Sequence, residues 1–187
     1  MKSKTRQLLV KEFSKSIIDS ANGFVRIEGE EAILDPSVTY RRFVNDRLHL
    51  FINLYPSSKS WEECFMVEIG WNTEKHIPTE AFGKWMGSKL PPLNSPFGWL
   101  RLPTLYRNLW TSKWEPWWTL SNDSTALENV TKKVQEKPLR TKLNDISQKQ
   151  DAASEKMKIS KEVADATSKL LQYGMPFLNR VIQAKNE

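Results

Sequence analysis

The sequence predicts an α+β fold: a small antiparallel sheet packed by an N-terminal helix and long C-terminal helices, with a Trp/Pro-rich wrapped loop. Three observations predict this class. Apolar residues near the N-terminus recur at helical spacing. Two central segments alternate apolar and polar residues, as strands do. After residue 120 the chain becomes polar and carries only a thin apolar stripe at three- and four-residue spacing.

The N-terminal segment is predicted to be a helix that stops at Asn22-Gly23, because glycine after the last periodic residue is a common helix stop. Its apolar residues at helical spacing are Leu8, Leu9, Phe13, Ile17 and Ile18. A short strand is expected at residues 24–27. Residues 28–31 would form its turn, and Ala32 to Leu34 would be the returning strand of a hairpin.

Two stronger strands are predicted at Arg47 to Tyr55 and Phe65 to Trp71. One face of the pair carries apolar side chains: Leu48, Leu50, Ile52, Leu54, Phe65, Val67, Ile69 and Trp71. The opposite face mixes aromatic and polar groups, among them His49, Asn53 and Glu68. The connection is short enough for an antiparallel pair. We therefore expect helices to cover the aliphatic face and the mixed face to be half-open or grooved.

A run rich in tryptophan and proline follows and extends to residue 118. It holds six of the eight tryptophans, at Trp85, Trp99, Trp110, Trp114, Trp117 and Trp118. Its prolines exclude a helix interior or a central strand, and its apolar composition is unlike that of a flexible linker. We expect an ordered loop that its tryptophans hold against the sheet, with Gly98 to Leu102 adding one more strand.

The region from residue 121 onward is predicted to be polar and helical, within a single domain that spans residues 1–187. It has no Trp, Phe or Tyr from residue 121 to 172. Ser121 to Ser124 resembles a helix N-terminus, and Pro138 interrupts the helical pattern. The apolar stripe is expected to break at Tyr173 to Pro176, before a last helical turn or two.

The order of these elements resembles a family of small bacterial proteins, Domain of Unknown Function 4304. The resemblance rests on Gly23-Phe24 after the first helix, the two paired strands, Trp117 to Leu120, and the closing segment Gly174 to Leu178. It implies an α+β fold with an antiparallel sheet and supplies no activity or site residues. Residues 121–162 depart from the family pattern and resemble an insertion.

Charge and composition narrow the classes of function. The net charge of +6 is divided evenly between residues 1–120 and 121–187, a mild excess that favours solubility over a dedicated nucleic-acid binder. No apolar run reaches the length needed to span a bilayer, and no signal peptide is recognisable. The lone Cys64 permits no intramolecular disulfide. These features predict a cytoplasmic protein without a membrane partner.

The sequence shows no catalytic or cofactor signature. Phosphate-binding glycine loops and nucleophile elbows are absent, and the two histidines, His49 and His76, do not have zinc-ligand spacing. We therefore expect no metal, no cofactor and no catalytic residues. One alternative remains open: His49 could meet Glu68 or Asn53 across the hairpin and serve a hydrolase-type enzyme as an acid–base pair. A structural contact is the expected role of such a pair.

The candidate binding residues come from the Trp/Pro-rich run and its cations: Trp110, Trp114, Trp117, Trp118, Arg101, Arg107 and Lys113. Tryptophan with arginine is typical of protein–protein hot spots and of platforms for single-stranded nucleic acid. Inward packing of the tryptophans is the third interpretation. We predict a non-enzymatic protein-binding module of the bacterial cytoplasm, in toxin immunity or a defence complex. A nucleic-acid-binding accessory protein is the alternative.

Overall fold

The computed structural model describes residues 1–27, 37–57, 63–73, 90–106, 118–120 and 137–186, with side chains from residue 152 in the last range. The α+β class is confirmed: an antiparallel sheet packs against an N-terminal helix and a long C-terminal helical run. Most of the predicted Trp/Pro-rich loop, including residues 74–89 and 107–117, lies outside the described residues. The predicted returning strand at residues 32–34 and helix start at residue 121 also lie outside them.

The described residues form one helix before the strands and a helical run after them. In chain order the elements are α1 (Ser3–Ser20), β1 (Val25–Ile27), β2 (Val38–Phe43), β3 (His49–Pro56), β4 (Cys64–Asn72), β5 (Phe97–Arg101), a 3₁₀ turn (Leu102–Leu105), β6 (Trp118–Thr119), α2 (Lys137–Lys169), a π-helical segment (Leu170–Gly174) and α3 (Met175–Asn186). The strands form one antiparallel sheet in the order β1-β2-β3-β4-β5, and β6 also pairs with β4.

Strand β2 and the two-residue strand β6 were not predicted from the sequence pattern, and β2 is the longer of the two. Strand β2 pairs with β1 on one side and β3 on the other, with Arg26 opposite Tyr40 and Tyr40 opposite Ile52. Its sequence, Val-Thr-Tyr-Arg-Arg-Phe, hides the alternation because Arg41 and Arg42 stand next to each other. The predicted strands β1, β3, β4 and β5 are confirmed.

The aliphatic face of the sheet is buried under the helices, as predicted. One hydrophobic cluster joins that face to all three helices. The apolar residues of β3 and β4 in this cluster are Leu50, Ile52, Leu54, Phe65, Val67, Ile69 and Trp71, and the helices supply Leu9, Phe13, Ile17, Ile159, Val163, Ala166, Phe177, Leu178 and Val181. Removal of this apolar surface from water is the main force that holds helices on the sheet.

Two glycine–tryptophan pairs lock β4 to β5. Gly70 lies opposite Trp99, and Trp71 lies opposite Gly98. A Cβ atom added to Gly98 would stand 2.2 Å from the Trp71 ring, and one added to Gly70 would stand 2.2 Å from the Trp99 ring. Each glycine therefore leaves the space that the opposite indole fills, on opposite faces of the sheet.

Polar contacts join α1 to α2 along their interface. The Ser16 and Thr167 hydroxyls are 2.8 Å apart, and Ser160 Oγ donates to Glu12 Oε2 at 3.3 Å. Thr5 is buried and donates to Glu155. The apolar stripe of α2 is thin, and these hydrogen bonds add specificity to how the two helices align.

The predicted helix break at residues 173–176 is wrong, because the chain continues through it as a π-helical segment. Pro176 has no backbone N–H to donate, and the wider π turn accommodates that loss without ending the helical run. Gly174 lies against the 3₁₀ turn: an added Cβ would be 2.8 Å from Leu170 Cδ1 and 3.1 Å from Leu102 Cδ1. The absence of a side chain there permits this close approach.

Tyr40 is predicted to make the fold sensitive to alkali. Its ring is buried and its hydroxyl lies 2.6 Å from Ser14 Oγ. Burial raises the pKa of Tyr40 above its ordinary value of 10.0, against smaller opposing effects of Ser14 and Arg26. The unfolded chain therefore ionises first, so the free energy of unfolding falls as pH rises above about 10.

Urea unfolding between pH 8 and pH 11 tests this expectation. Tyr40→Phe should reduce the fall in the free energy of unfolding above pH 10. At neutral pH the same change should lower that free energy by about 1 kcal/mol, because it removes a hydrogen bond. Ser14→Ala is the matched control, since it removes the same hydrogen bond and keeps the phenol. A Tyr40→Phe protein that loses stability above pH 10 as steeply as the wild type would contradict the assignment.

Candidate functional site

The mixed face is the side of the sheet that points away from the helices. The strand registers arrange its side chains in three rows across β2 to β5. The first row is Thr39, Asn53, Glu68 and Arg101, the second is Arg41, Phe51, Gly70 and Trp99, and the third is Phe43, His49, Asn72 and Phe97. The first row therefore holds only polar and charged groups, whereas the next two rows hold the rings together with Arg41 and Asn72.

The first row forms a buried hydrogen-bond chain that ends on a carboxylate. Thr39 Oγ1 donates to Asn53 Oδ1 at 3.1 Å, and Asn53 Nδ2 donates to Glu68 Oε2 at 3.1 Å. The Trp99 Nε1–H donates to the same oxygen at 3.0 Å. Glu68 is only 6% exposed. Charge-assisted hydrogen bonds of this kind stabilise a buried carboxylate and fix its rotamer.

Four rings of the other two rows form a ladder that runs from the buried Trp99 on β5 to the exposed Phe43 at the end of β2. The Trp99 and Phe51 centroids are 6.1 Å apart, Phe51 and His49 are 6.4 Å apart and nearly parallel, and His49 and Phe43 are 4.8 Å apart. Phe51 is 1% exposed, whereas Phe43 is 54% exposed. The Arg41 guanidinium carbon lies 4.5 Å from the Phe43 ring centroid. The outermost ring is thus exposed and held between a cation and an imidazole.

The acid–base pair considered for a hydrolase does not assemble. His49 lies opposite Asn72, and Glu68 lies opposite Asn53. Asn53 and His49 are four residues apart on β3, or roughly 13 Å at the usual strand rise. His49 packs between Phe43 and Phe51, while Glu68 accepts from Asn53 and Trp99. The two side chains share a face but have separate, structural surroundings.

The structure describes two of the seven binding residues predicted from the sequence, and it does not bring them together. Arg101 lies on the mixed face, directly opposite Glu68. Trp118 lies on the other face, because it pairs with Phe65 of the hydrophobic cluster. The other five, Trp110, Trp114, Trp117, Arg107 and Lys113, lie outside the described residues, and their binding role stays a prediction.

The described contacts of Trp118 are those of a core residue. Its ring stacks on Phe65 with centroids 5.5 Å apart and planes 14° apart. Its Nε1–H donates to Asp165 Oδ2 of α2 at 2.9 Å, and the side chain is 7% exposed. The indole therefore joins β6 to α2, which agrees with the inward packing that we kept open for the tryptophans.

The exposed end of the ladder was not found by sequence reasoning. Arg41 and Phe43 belong to β2, which the sequence pattern did not predict. The available signal was the i, i+2 spacing of an arginine and an aromatic ring, which places both on one face of any strand. Because β2 was not predicted, the sequence analysis could not assign Arg41 and Phe43 to a face of the sheet.

No family model, curated protein or solved structure matches the chain. The resemblance to Domain of Unknown Function 4304 accordingly stays a prediction. Within the described part of the chain, no helix has the length and apolarity needed to cross a membrane. Among those same residues, no group of three or more His, Cys, Asp or Glu side chains could hold a metal ion.

Proposed function

We propose that this protein is a non-enzymatic module that binds another protein through the exposed end of the aromatic ladder. The observation that carries the proposal is Phe43, a large ring that is 54% exposed yet held between Arg41 and His49. Exposed rings that are already fixed lose little conformational entropy on binding, which is why rigid aromatic anchors dominate many interfaces.

A second exposed apolar side chain extends this anchor into a patch. Val25 of β1 lies directly opposite Arg41 and is 56% exposed. Phe43 is diagonal to Val25 on the same face, a spacing within reach of a large side chain. We call Val25, Arg41 and Phe43 the Phe43 patch. Phenylalanine and arginine are both residue types enriched at protein interfaces, and Val25 adds apolar surface beside them.

The proposed setting is the bacterial cytoplasm, in toxin immunity or a defence complex, and it rests on analogy with other small orphan domains and not on residues of this chain. Binding of single-stranded nucleic acid is less well supported as a function of the mixed face. Bases stack on exposed rings, and Phe51 and Trp99 are at most 4% exposed. The hydrolase alternative has no assembled acid–base pair to support it.

Phe43→Ala should weaken the complex by about 2 kcal/mol, roughly thirtyfold in Kd, because it removes the anchor and leaves its pocket on the partner unfilled. The partner is first isolated by pull-down with the full chain and identified by mass spectrometry. Titration calorimetry with the purified partner then measures Kd. Met157→Ala is the matched control, because Met157 is 74% exposed and lies on α2, away from the mixed face.

An unchanged Kd for a folded Phe43→Ala protein would overturn the proposal, and so would the failure of the full chain to retain any protein. The same titration at rising salt separates the alternatives. A nucleic-acid ligand would lose affinity steeply with salt, whereas an anchor that acts by apolar burial changes little.

A further inference from the structure

A cavity of about 580 Å³ lies at the end of the sheet where the aromatic ladder ends. Its lining comes from the turn that joins β2 to β3, from the residue after β4 and from the C-terminal part of α3. The lining residues are Asn45, Asp46, Arg47, Leu48, Thr73 and Lys185. We call this cavity the turn cavity.

Hydrogen bonds fix the turn that carries Arg47. The Val44 N–H donates to the Leu48 carbonyl oxygen at 2.9 Å. Asn45 Oδ1 accepts from the backbone N–H groups of Arg47 and Leu48, at 2.9 and 2.8 Å. These bonds use the oxygen of the Asn45 amide and leave its Nδ2 donors for another acceptor. Because the backbone at Arg47 is already ordered, a ligand bound there would cost little conformational entropy.

Lys185 and Thr73 are held by contacts to the segment before β5. Lys185 Nζ donates to the Asn94 carbonyl oxygen at 2.7 Å, and the Thr73 N–H donates to the Pro96 carbonyl oxygen at 2.9 Å. An ammonium group has three donors, so the bond to Asn94 leaves two of them. Burial lowers the pKa of Lys185 below its ordinary value of 10.5. A bound anion would offset this loss of hydration.

The charges of the turn cavity suit a carboxylate. Within the part of the chain that the structure describes, no ion pair engages Arg47, Lys185 or Asp46. Arg47 is exposed, and its planar guanidinium matches the two oxygens of a carboxylate. Asp46 is the one acidic residue among the described lining residues. Its charge repels a doubly charged phosphate more strongly than a singly charged carboxylate.

The turn cavity directly adjoins the Phe43 patch. Phe43 is the last residue of β2 and lies opposite His49, the first residue of β3. The turn between them therefore starts at the proposed anchor, and Asn45 is only two residues from Phe43, at most about 7 Å between Cα atoms. A protein seated on the Phe43 patch would reach the cavity by passing over the end of the sheet.

We propose that the turn cavity binds an aspartate or glutamate side chain of the partner protein. Arg47 and Lys185 would hold its carboxylate, and the Thr73 hydroxyl and the Asn45 amide would add hydrogen bonds. This inference rests on the proposed function in one respect: it takes the ligand to belong to the protein that covers the Phe43 patch. Binding of a carboxylate to the cavity can be measured without that protein.

Nuclear magnetic resonance of the ¹⁵N-labelled full chain tests the inference, with the peptide acetyl-Gly-Glu-Gly-amide as the probe. The same peptide with Gln in place of Glu is the ligand control. Chemical shifts of the Arg47 Nε–H and the Thr73 amide report binding. The protein variants are Arg47→Gln and Lys185→Gln. Their matched control is Lys161→Gln, which removes one charge at an exposed position of α2 outside the cavity.

We expect the Glu peptide to shift both signals saturably and the Gln peptide to leave them in place. Arg47→Gln and Lys185→Gln should each weaken Glu-peptide binding about tenfold, because each removes a charge-assisted hydrogen bond. Lys161→Gln should change binding less than twofold. With the purified partner, Arg47→Gln should raise Kd about tenfold in the calorimetric titration. Thermal unfolding confirms that each variant is folded.

Equal shifts with the Glu and Gln peptides would overturn the inference. So would equal losses in Arg47→Gln and Lys161→Gln, because they would show attraction to net charge alone. Inorganic phosphate is titrated in parallel, and tighter binding of phosphate than of the Glu peptide would show that the carboxylate assignment is wrong. Phe43→Ala should leave peptide binding unchanged. The peptide titration can therefore fail while the Phe43 patch stands, and a failed pull-down would overturn the proposed function without altering the peptide result.

Discussion

Gly98→Ala is expected to destabilise the protein by about 3 kcal/mol, the upper part of the range for overpacking a well-filled core. The added methyl group would stand 2.2 Å from the Trp71 ring, far inside van der Waals contact. Trp71 is 1% exposed, contacts Phe177 of α3 and donates from Nε1 to the Ser95 carbonyl oxygen. It has no direction in which to move without breaking one of these contacts.

Urea unfolding measures this effect, with an unchanged slope showing that the unfolded state is unaffected. The matched control is the same substitution in a Trp71→Phe background, where the smaller ring makes room for the methyl group. Gly98→Ala should cost less there, so the two changes should be non-additive. The proposed packing would be contradicted if the effects of Gly98→Ala and Trp71→Phe on the free energy of unfolding were fully additive. It would also be contradicted if Gly98→Ala lowered that free energy by less than about 1 kcal/mol in the wild-type background.

Glu68→Ala is expected to lower the free energy of unfolding by about 3 kcal/mol, because it leaves two buried donors without an acceptor. The Glu68 carboxylate accepts both hydrogen bonds and so links the side chains of the first row. Asn53 Nδ2 and Trp99 Nε1 both donate to Glu68 Oε2. Asn53 is fully buried and Trp99 is 4% exposed, so water reaches neither donor easily. Chemical denaturation of the purified variant measures the loss.

Glu68→Gln is the informative control, since it keeps the shape and an acceptor oxygen while removing the charge. It should lose less stability than Glu68→Ala. A Glu68→Ala protein as stable as the wild type would show that the hydrogen-bond chain is not formed. A large loss of stability in Glu68→Ala would also count against the acid–base alternative, because it would assign Glu68 a structural role in the sheet.

Much of the fold was predictable because local patterns and the final packing agree. The strict alternation of Leu48, Leu50, Ile52 and Leu54 fixes which face of β3 is buried, since a period of two has only one apolar side. Gly23 after the last periodic residue of α1 has a positive φ of 85°, the conformation that a glycine stop provides. Strand β2 escaped prediction because adjacent arginines masked its period.

The functional surface was less predictable, because it depends on which strands become neighbours. His49 and Glu68 both stand on the mixed face, as the alternation indicated, but the register puts them two rows apart. Trp118 has the residue type of a binding anchor, yet its pairing with Phe65 turns it into the core. Residue type suggests a role, and pairing decides whether the side chain is available for it.

The sequence by itself determined the class of this protein, the face on which its core forms and the places where its first helix and main strands lie. Those features follow from periodicity, which is local. Only the tertiary structure decided that Phe43 is exposed between Arg41 and His49, and that Val25 lies diagonal to it on the same face. These residues from three strands meet because β2 pairs with β1 on one side and with β3 on the other, and no local pattern encodes that pairing.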